Sequence, residues 1–321
     1  MSDDGQAVDL LSAEVPYAMA GQRLDQVAAL LFDNYSRARL QAWICEGKLT
    51  VDRQRRRSKD KVTGGEHLEL LAEVEAQARW QPQQIALEIV YEDESLIIIN
   101  KPAGLVVHPA VGNPEGTLLN ALLHHAPELN KVPRAGIVHR LDKETTGLLV
   151  VAKTLLAQKS LVEQLQSRTV GRLYEAVVAG TLISGGTVDE PMGRHPVDRK
   201  RMAVVHTGKA AITHYRITER FRDYTRLGVK LETGRTHQIR VHMAHLHHPL
   251  VGDPVYGGRL RLPKGASEQL LATLRGFRRQ ALHAGALELF HPESGELCQW
   301  QAPLPRDMVD LLARLRLENG V

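Results

Sequence analysis

Gly136-Ile-Val-His-Arg-Leu-Asp-Lys-Glu-Thr-Thr-Gly-Leu-Leu-Val-Val-Ala152 is the most unusual stretch of this 321-residue chain, and its grammar sets the reading of the rest. It ends in an unbroken apolar run, Leu148–Ala152, of strand length and covered on both faces. Downstream, Thr154 is placed to cap a helix running through Leu165. Strand patterns then dominate: Leu173–Ala179, Ala211–Ile217, Arg226–Leu231 and Ala284–Phe290. Thr236–Leu246 reads as a helix with Ile239, Met243 and Leu246 on one face, and Asp307–Leu315 as a C-terminal helix. Upstream, Ile85–Tyr91 and Leu96–Ile99 read as strands, Lys101-Pro-Ala-Gly104 as a turn, and Leu118, Leu119, Leu122 and Leu123 mark a helix. Strands predominate and helices are interspersed without βαβ alternation. The expected class is α+β, with a largely antiparallel mixed sheet flanked by helices and loops.

The first part of the chain reads differently. Residues 1–14 look like a flexible tail. Leu24, Val27, Leu30 and Leu31 recur at helical spacing, and Ser36 is placed to cap a second helix through Leu40, Trp43 and Ile44. Gly47 ends that helix, Leu49 and Val51 open a strand, and Leu68 and Leu70 alternate as another. Between them runs a basic stretch, Arg53, Arg55, Arg56, Arg57, Lys59 and Lys61. Residues 15–72 are thus a small α/β unit, 73–84 a polar linker, and 85–321 a second domain.

Composition excludes several classes. Hydrophobic residues are 43% and charged residues 24%, which is ordinary for a globular chain. No apolar run approaches the ~20 residues needed to span a bilayer, and the acidic, polar start does not read as a secretory signal. Cys45 and Cys298 are far apart and fit two reduced thiols in the cytosol, not a disulfide or zinc framework. Lys and Arg number 41 against 37 Asp and Glu, a net charge of +4, so any grip on nucleic acid must come from local clusters. Aromatic residues are only 4%, which argues against a surface of stacking rings. No phosphate-binding glycine loop, dinucleotide fingerprint or serine-hydrolase elbow occurs.

Three segments can carry chemistry. Asp142 lies between Arg140 and Lys143, cations that favour its ionised form. Such a carboxylate beside a turn can serve as nucleophile, base or metal ligand, or simply be salt-bridged to its neighbours. In Leu231-Glu-Thr-Gly-Arg-Thr-His-Gln-Ile-Arg-Val-His242, Gly234 makes a tight turn from which Arg235 projects toward a carboxylate, a phosphate or solvent. Tyr174 sits in Arg172-Leu-Tyr-Glu-Ala-Val-Val-Ala-Gly180, as a packing residue or as a ring that stacks on a planar substrate. His237, His242, His245, His247 and His248 crowd one stretch, but without a nearby acidic cluster. Polar packing and RNA contact are favoured there over a metal site.

Together these segments resemble the RluA-type pseudouridine synthases. His139–Gly147 is similar to that family's catalytic motif, Arg172–Gly180 and Leu231–His242 to its two later motifs, and Lys101–Pro109 to its opening motif. Residues 15–72 resemble an S4 RNA-binding domain through Arg23-Leu-Asp, Ser36-Arg, Gln41, Ile44, Gly47 and Val51, although the usual Asn-Gly turn is replaced by Asp52-Arg53. The stretches His108–Leu122 and Val132–Ile137 are most similar to the D-type branch, which acts on uridines in the helix 69 stem-loop of 23S rRNA. The resemblance implies a pseudouridine synthase fold and an isomerase without metal, nucleotide or other cofactor. It implies that Asp142 captures C1′ or removes the C2′ proton, and that Tyr174 stacks on the base as a candidate acceptor of the C5 proton. Arg235 would pair with Asp142, Arg140 would fill the gap left by the flipped uridine, and Leu231 would complete the site. RNA contacts are expected at Arg23, Ser36, Arg37, Lys48, Arg53, Arg55, Arg56 and Arg57, which would supply affinity through phosphates. The expected partner is 23S rRNA or a large-subunit precursor, met by a monomer in the cytoplasm and not at a membrane. The alternatives are a synthase for another rRNA or tRNA site, or a non-catalytic RNA-binding assembly factor. The intact Arg140, Asp142, Tyr174 and Arg235 set argues against the latter.

Overall fold

The computed structural model describes residues 8–32, 35, 37–73, 80–110, 112–198, 200–260 and 262–318. The chain divides into two compact units, Met1–Arg79 and Trp80–Val321.

In the first unit, β1 (Val8–Glu14), β2 (Leu49–Val51) and β3 (His67–Glu73) form an antiparallel sheet in the order β1-β3-β2, beside α1 (Leu24–Leu31) and α2 (Arg37–Glu46). Residues 8–14 are therefore not a tail. They pair along β3 from Val8 opposite Glu73 to Glu14 opposite His67, because β3 offers a free edge that local composition does not advertise. Leu24, Val27, Leu40, Trp43, Ile44, Leu49, Val51, Leu68 and Leu70 close the core. Leu30, read as part of the apolar stripe of α1, is exposed, and Ala28 takes its place in the core. The proposed cap Ser36 lies outside the described residues. The Asp52-Arg53 turn keeps the two-residue hairpin form. Val51 and Gln54 exchange both backbone hydrogen bonds, and both central residues have positive φ, 50° and 61°.

In the second unit, β4 (Ile89–Glu92), β5 (Leu96–Lys101), β6 (Thr146–Ala152), β7 (Gly171–Ala179), β8 (Gly186–Asp189), the β9–β10 hairpin (Met192–Arg194, Met202–Val204), β11 (Ile212–Arg220), β12 (Tyr224–Leu231), β13 (Leu282–Phe290) and β14 (Leu297–Gln301) alternate irregularly, among the described residues, with five α-helices. These are α3 (Leu118–His125), α4 (Leu155–Gln166), α5 (Gln238–His245), α6 (Glu268–Gly276) and α7 (Arg306–Glu318). The main sheet has nine strands in the order β4-β5-β6-β13-β7-β12-β11-β8, with β14 on β13. Its pairings are antiparallel except that of β6 with β13. The α+β class and the antiparallel-rich mixed sheet hold.

The sheet is covered on both faces, which is why β5 and β6 read as continuous apolar runs. Ile97, Ile99, Leu149 and Val151 pack with α3 and with Ile239 and Met243 of α5. The alternate residues Leu96, Ile98, Leu148 and Val150 pack with Ala157 and Leu161 of α4. Thr154 caps α4 as its position predicts, its Oγ1 accepting from Ala157 N at 3.0 Å. Helices α6 and α7 bury Leu270, Leu274, Met308, Leu311, Leu312 and Leu315 around Val177 and Tyr224.

Candidate active site

The loop carrying Asp142 is fixed where β6 begins. Thr145 N donates to Asp142 O at 3.0 Å, and two residues later Gly147 lies opposite Ala284 in the parallel pairing. Gly147 has φ +112°, and a Cβ there would stand 2.3 Å from Ala284 O, so only glycine lets the two strands approach. Two further anchors hold the loop. Lys101 at the end of β5 is fully buried, and its Nζ donates to Pro102 O, Leu105 O and Lys143 O at 2.7, 3.0 and 2.9 Å. Burial without a carboxylate partner pushes this ammonium down to about 8. Arg279, paired through Nε and Nη2 with Asp307 of α7 at 2.6 and 2.8 Å, donates from Nη1 to Glu144 O at 3.2 Å.

Asp142 opens onto a cleft of about 860 Å³ built from this loop, β7, the end of β12 and the start of α5. Tyr174 is 7% exposed and Leu231 6%; both line the cleft, and the exposed Arg140 stands at its wall. The structure corrects one pairing. Arg235 is exposed, and its Nε donates to Ala210 O at 3.1 Å. The cation bonded to Asp142 is Arg240 of α5, whose Nη1 donates to Asp142 Oδ2 at 3.0 Å. Nε and Nη2 of Arg240 hold Asp253 bidentately at 2.7 and 2.9 Å, and Asp253 Oδ1 also accepts from Val255 N and Tyr256 N. Burial opposes charge on Arg240, but the bonds to Asp253 and Asp142 outweigh it and raise its pKa above the ordinary value. Asp253 is held below the usual carboxylate range in the same way, its burial outweighed by Arg240.

His237, at the N-cap of α5 in a left-handed conformation (φ 60°), lies with Nε2 3.9 Å from Asp142 Oδ1 and Nδ1 2.8 Å from Tyr256 Oη. Tyr256 lies under the Arg240 guanidinium at 5.0 Å. Of the other crowded histidines, His245 and His247 are exposed, and two are packed into the fold. His242 is buried between Thr213 Oγ1 and Glu190 O, and His248 Nδ1 is 2.9 Å from Ala179 O. Among the described residues no group of three or more His, Cys, Asp and Glu is arranged to hold a metal.

The RNA-contact candidates all lie in the first unit. Arg23 and Arg37 clamp the buried carboxylate of Asp25, Arg23 with Nε 2.9 Å from Oδ1 and Arg37 with Nη2 2.7 Å from Oδ2. Desolvation would raise the pKa of Asp25, but these bonds and one from Gln41 hold it well below the usual carboxylate range. Lys48 pairs with Glu46 and Arg56 with Glu66, and the Arg55 guanidinium packs over Gly47. Arg53 and Arg57 extend into solvent, with side chains 87% and 90% exposed.

Sequence reasoning missed Arg240, Asp253, Lys101 and the His237–Tyr256 pair. The local signal for Arg240 was a cation set between Ile239 and Val241 in the stretch that reads as a helix.

Residues 95–245 match the RNA pseudouridylate synthase family. Over 308 residues the chain is 62% identical to "Ribosomal large subunit pseudouridine synthase D" of Pseudomonas aeruginosa, covering 96% of each chain. It is 60% identical over 309 residues to the protein of that name from Escherichia coli K12, covering 96% of this chain and 95% of the relative. Among solved structures it is similar to "Human RNA Pseudouridylate Synthase Domain Containing 4", with a TM-score of 0.56 and 28% identity over 71% of this chain and 93% of that one. The chain belongs to the RNA pseudouridylate synthases and, within them, to the RluA type. It is an isomerase that converts uridine in RNA to pseudouridine.

Proposed function

We propose that this chain isomerises uridines of the large ribosomal subunit RNA, in the helix 69 stem-loop of 23S rRNA, with Asp142 as the essential carboxylate acting on a flipped-out nucleotide. The observation that carries this reading is the state of Asp142. One carboxylate oxygen is held by the buried Arg240, while the other lies 3.9 Å from His237 Nε2, beyond hydrogen-bond distance, in a cleft faced by Tyr174. The ribosomal substrate is supported by the names of the two relatives, which match nearly the whole chain.

The reaction breaks the N1–C1′ bond, turns the base and joins C5 to C1′, while the C5 proton leaves and N1 gains one. No atom or electron is gained overall. A carboxylate serves either route, capture of C1′ or removal of the C2′ proton, and the bond from Arg240 holds Asp142 aimed into the cleft. Burial pushes the Tyr174 phenol up to about 12, so at neutral pH it presents an uncharged ring for stacking. To take the C5 proton it must first hand on its own. The first unit is read as an S4-like RNA-binding domain whose exposed arginines follow phosphates. The chain acts as a monomer in the cytoplasm, where ribosomes are assembled.

Asp142→Asn is expected to fold normally and bind a helix 69 stem-loop with unchanged affinity while forming no pseudouridine, because the isosteric amide is neither nucleophile nor base. Residual turnover in a clean preparation removes Asp142 from this role. Mapping pseudouridine in total RNA from cells with and without the gene tests the target. Loss outside helix 69 moves the substrate to another site.

A further inference from the structure

Six arginines line the cleft: Arg134, Arg140, Arg168, Arg172, Arg235 and Arg240. Five have plain accounts. Arg240 is neutralised by Asp142 and Asp253, Arg168 pairs with Glu232 at 2.9 Å, and Arg134, Arg140 and Arg235 are exposed to water. Arg172 is different. It is 7% exposed and pairs with no carboxylate among the described residues. Its Nη2 donates to Glu232 O at 3.2 Å, and its buried Nε has no partner. The carboxylate of Glu232 is not available to it, because one oxygen takes Arg168 and the other lies 2.7 Å from His214 Nε2.

A buried guanidinium without a counter-charge is costly, and the fold goes out of its way to admit this one. A Cβ at Gly234 would stand 2.6 Å from Arg172 Nη1, so the glycine of that turn makes room for the guanidinium. Arg172 is two residues before Tyr174 on β7 and shares its face of the sheet. Along a strand this separates them by about 6.6 Å, comparable to the spacing of a nucleobase from its own backbone phosphate. A fixed, planar, unpaired fork in that place matches a phosphodiester.

We propose that Arg172 is the receptor for a backbone phosphate flanking the flipped uridine, an anion site that becomes electrically complete only when RNA is bound. This rests on the reading of the cleft as the seat of that uridine. The site fixes the backbone while Tyr174 holds the base, so it acts in binding and positioning and not in bond breaking.

The test is a cycle on the full-length protein. Helix 69 stem-loops carry a neutral methylphosphonate at the linkage 5′ or 3′ to the target uridine, and Kd is measured for wild type and Arg172→Met. On native RNA the variant is expected to bind about tenfold more weakly or worse, as for one lost charge-assisted hydrogen bond. At one of the two linkages the methylphosphonate should weaken wild type by the same factor and the variant no further. Losses that multiply at both linkages overturn the proposal. Thermal unfolding separates a structural role. Removing an unpaired buried charge should leave the free protein as stable as wild type or more so, and a destabilised variant with native Kd also overturns it. Turnover of the native stem-loop by wild type is read in parallel. If no pseudouridine forms there but the coupled loss in Kd persists, the assigned target fails and the phosphate site stands.

Discussion

At the residue scale, the site turns on which arginine meets Asp142. Arg235 is the obvious choice from sequence, since Gly234 turns the chain and leaves it projecting. It projects into solvent. Arg240 lies three residues beyond His237 on α5, and its main partner Asp253 comes thirteen residues later in a loop. Only folding brings the three charges together. Arg240→Lys is therefore expected to lower single-turnover kcat by roughly 100-fold or more, since one ammonium cannot hold Asp253 bidentately and still reach Asp142. It should also cost about 1–3 kcal/mol of stability through the imperfectly paired Asp253. Arg235→Gln should leave kcat within a few-fold of wild type. The reverse ordering of the two variants in rapid-quench kinetics would restore Arg235 as the partner.

At the scale of elements, the motif Thr145-Thr-Gly147 shows what a short pattern can and cannot convey. The apolar strand that follows it is legible because every residue from Leu148 to Ala152 is buried. That Gly147 must be glycine is not legible, because the reason is the carbonyl of Ala284, far away in sequence on β13. Gly147→Ala is expected to cost roughly 2–4 kcal/mol, combining overpacking against backbone with a positive φ. Urea unfolding of the second unit measures it, and a loss below about 1 kcal/mol would show that the parallel junction can yield. The strand β1 was missed for a related reason. Its acidic, polar start looks like a tail until β3 supplies an edge for it. Helix α6 is capped by Ser267, whose Oγ accepts from Leu270 N, and its Leu270 and Leu274 are buried in a cluster shared with α7, Val177 and Tyr224.

At the scale of the whole molecule, each unit closes its own hydrophobic core, so removing residues 1–79 should leave the second unit folded. The truncated protein is expected to bind the stem-loop more weakly while keeping its turnover number at saturating RNA. Arg23 and Arg37 are engaged with Asp25, and Arg56 with Glu66, so the basic residues of this unit do not all count equally. Arg53 and Arg57, whose pairings with Glu69 and Asp60 lie at the surface, have side chains 87% and 90% exposed. At about 0.7–0.9 per phosphate contact, losing these two should make the slope of log K against log salt shallower by roughly 1.4–1.8. An unchanged slope would show that this unit does not grip the backbone, and a collapsed turnover number would show that it helps to form the site.

The class of fold, the family, the meeting of Asp142 and Tyr174 at one cleft and the absence of nucleotide-binding motifs were legible in the chain before it folds. These are carried by local periodicity and by contiguous motifs, in which each residue's role depends on its near neighbours. The folded chain sets what no local pattern shows: that Arg240 and not Arg235 meets Asp142, that Asp253 and Tyr256 hold Arg240 in place, that Lys101 and Arg279 pin the Asp142 loop through Lys143 O and Glu144 O, and that among the described residues Arg172 has no counter-ion. Charge pairing acts through space over a few ångströms, and a one-dimensional pattern does not record which carboxylate arrives beside which buried cation.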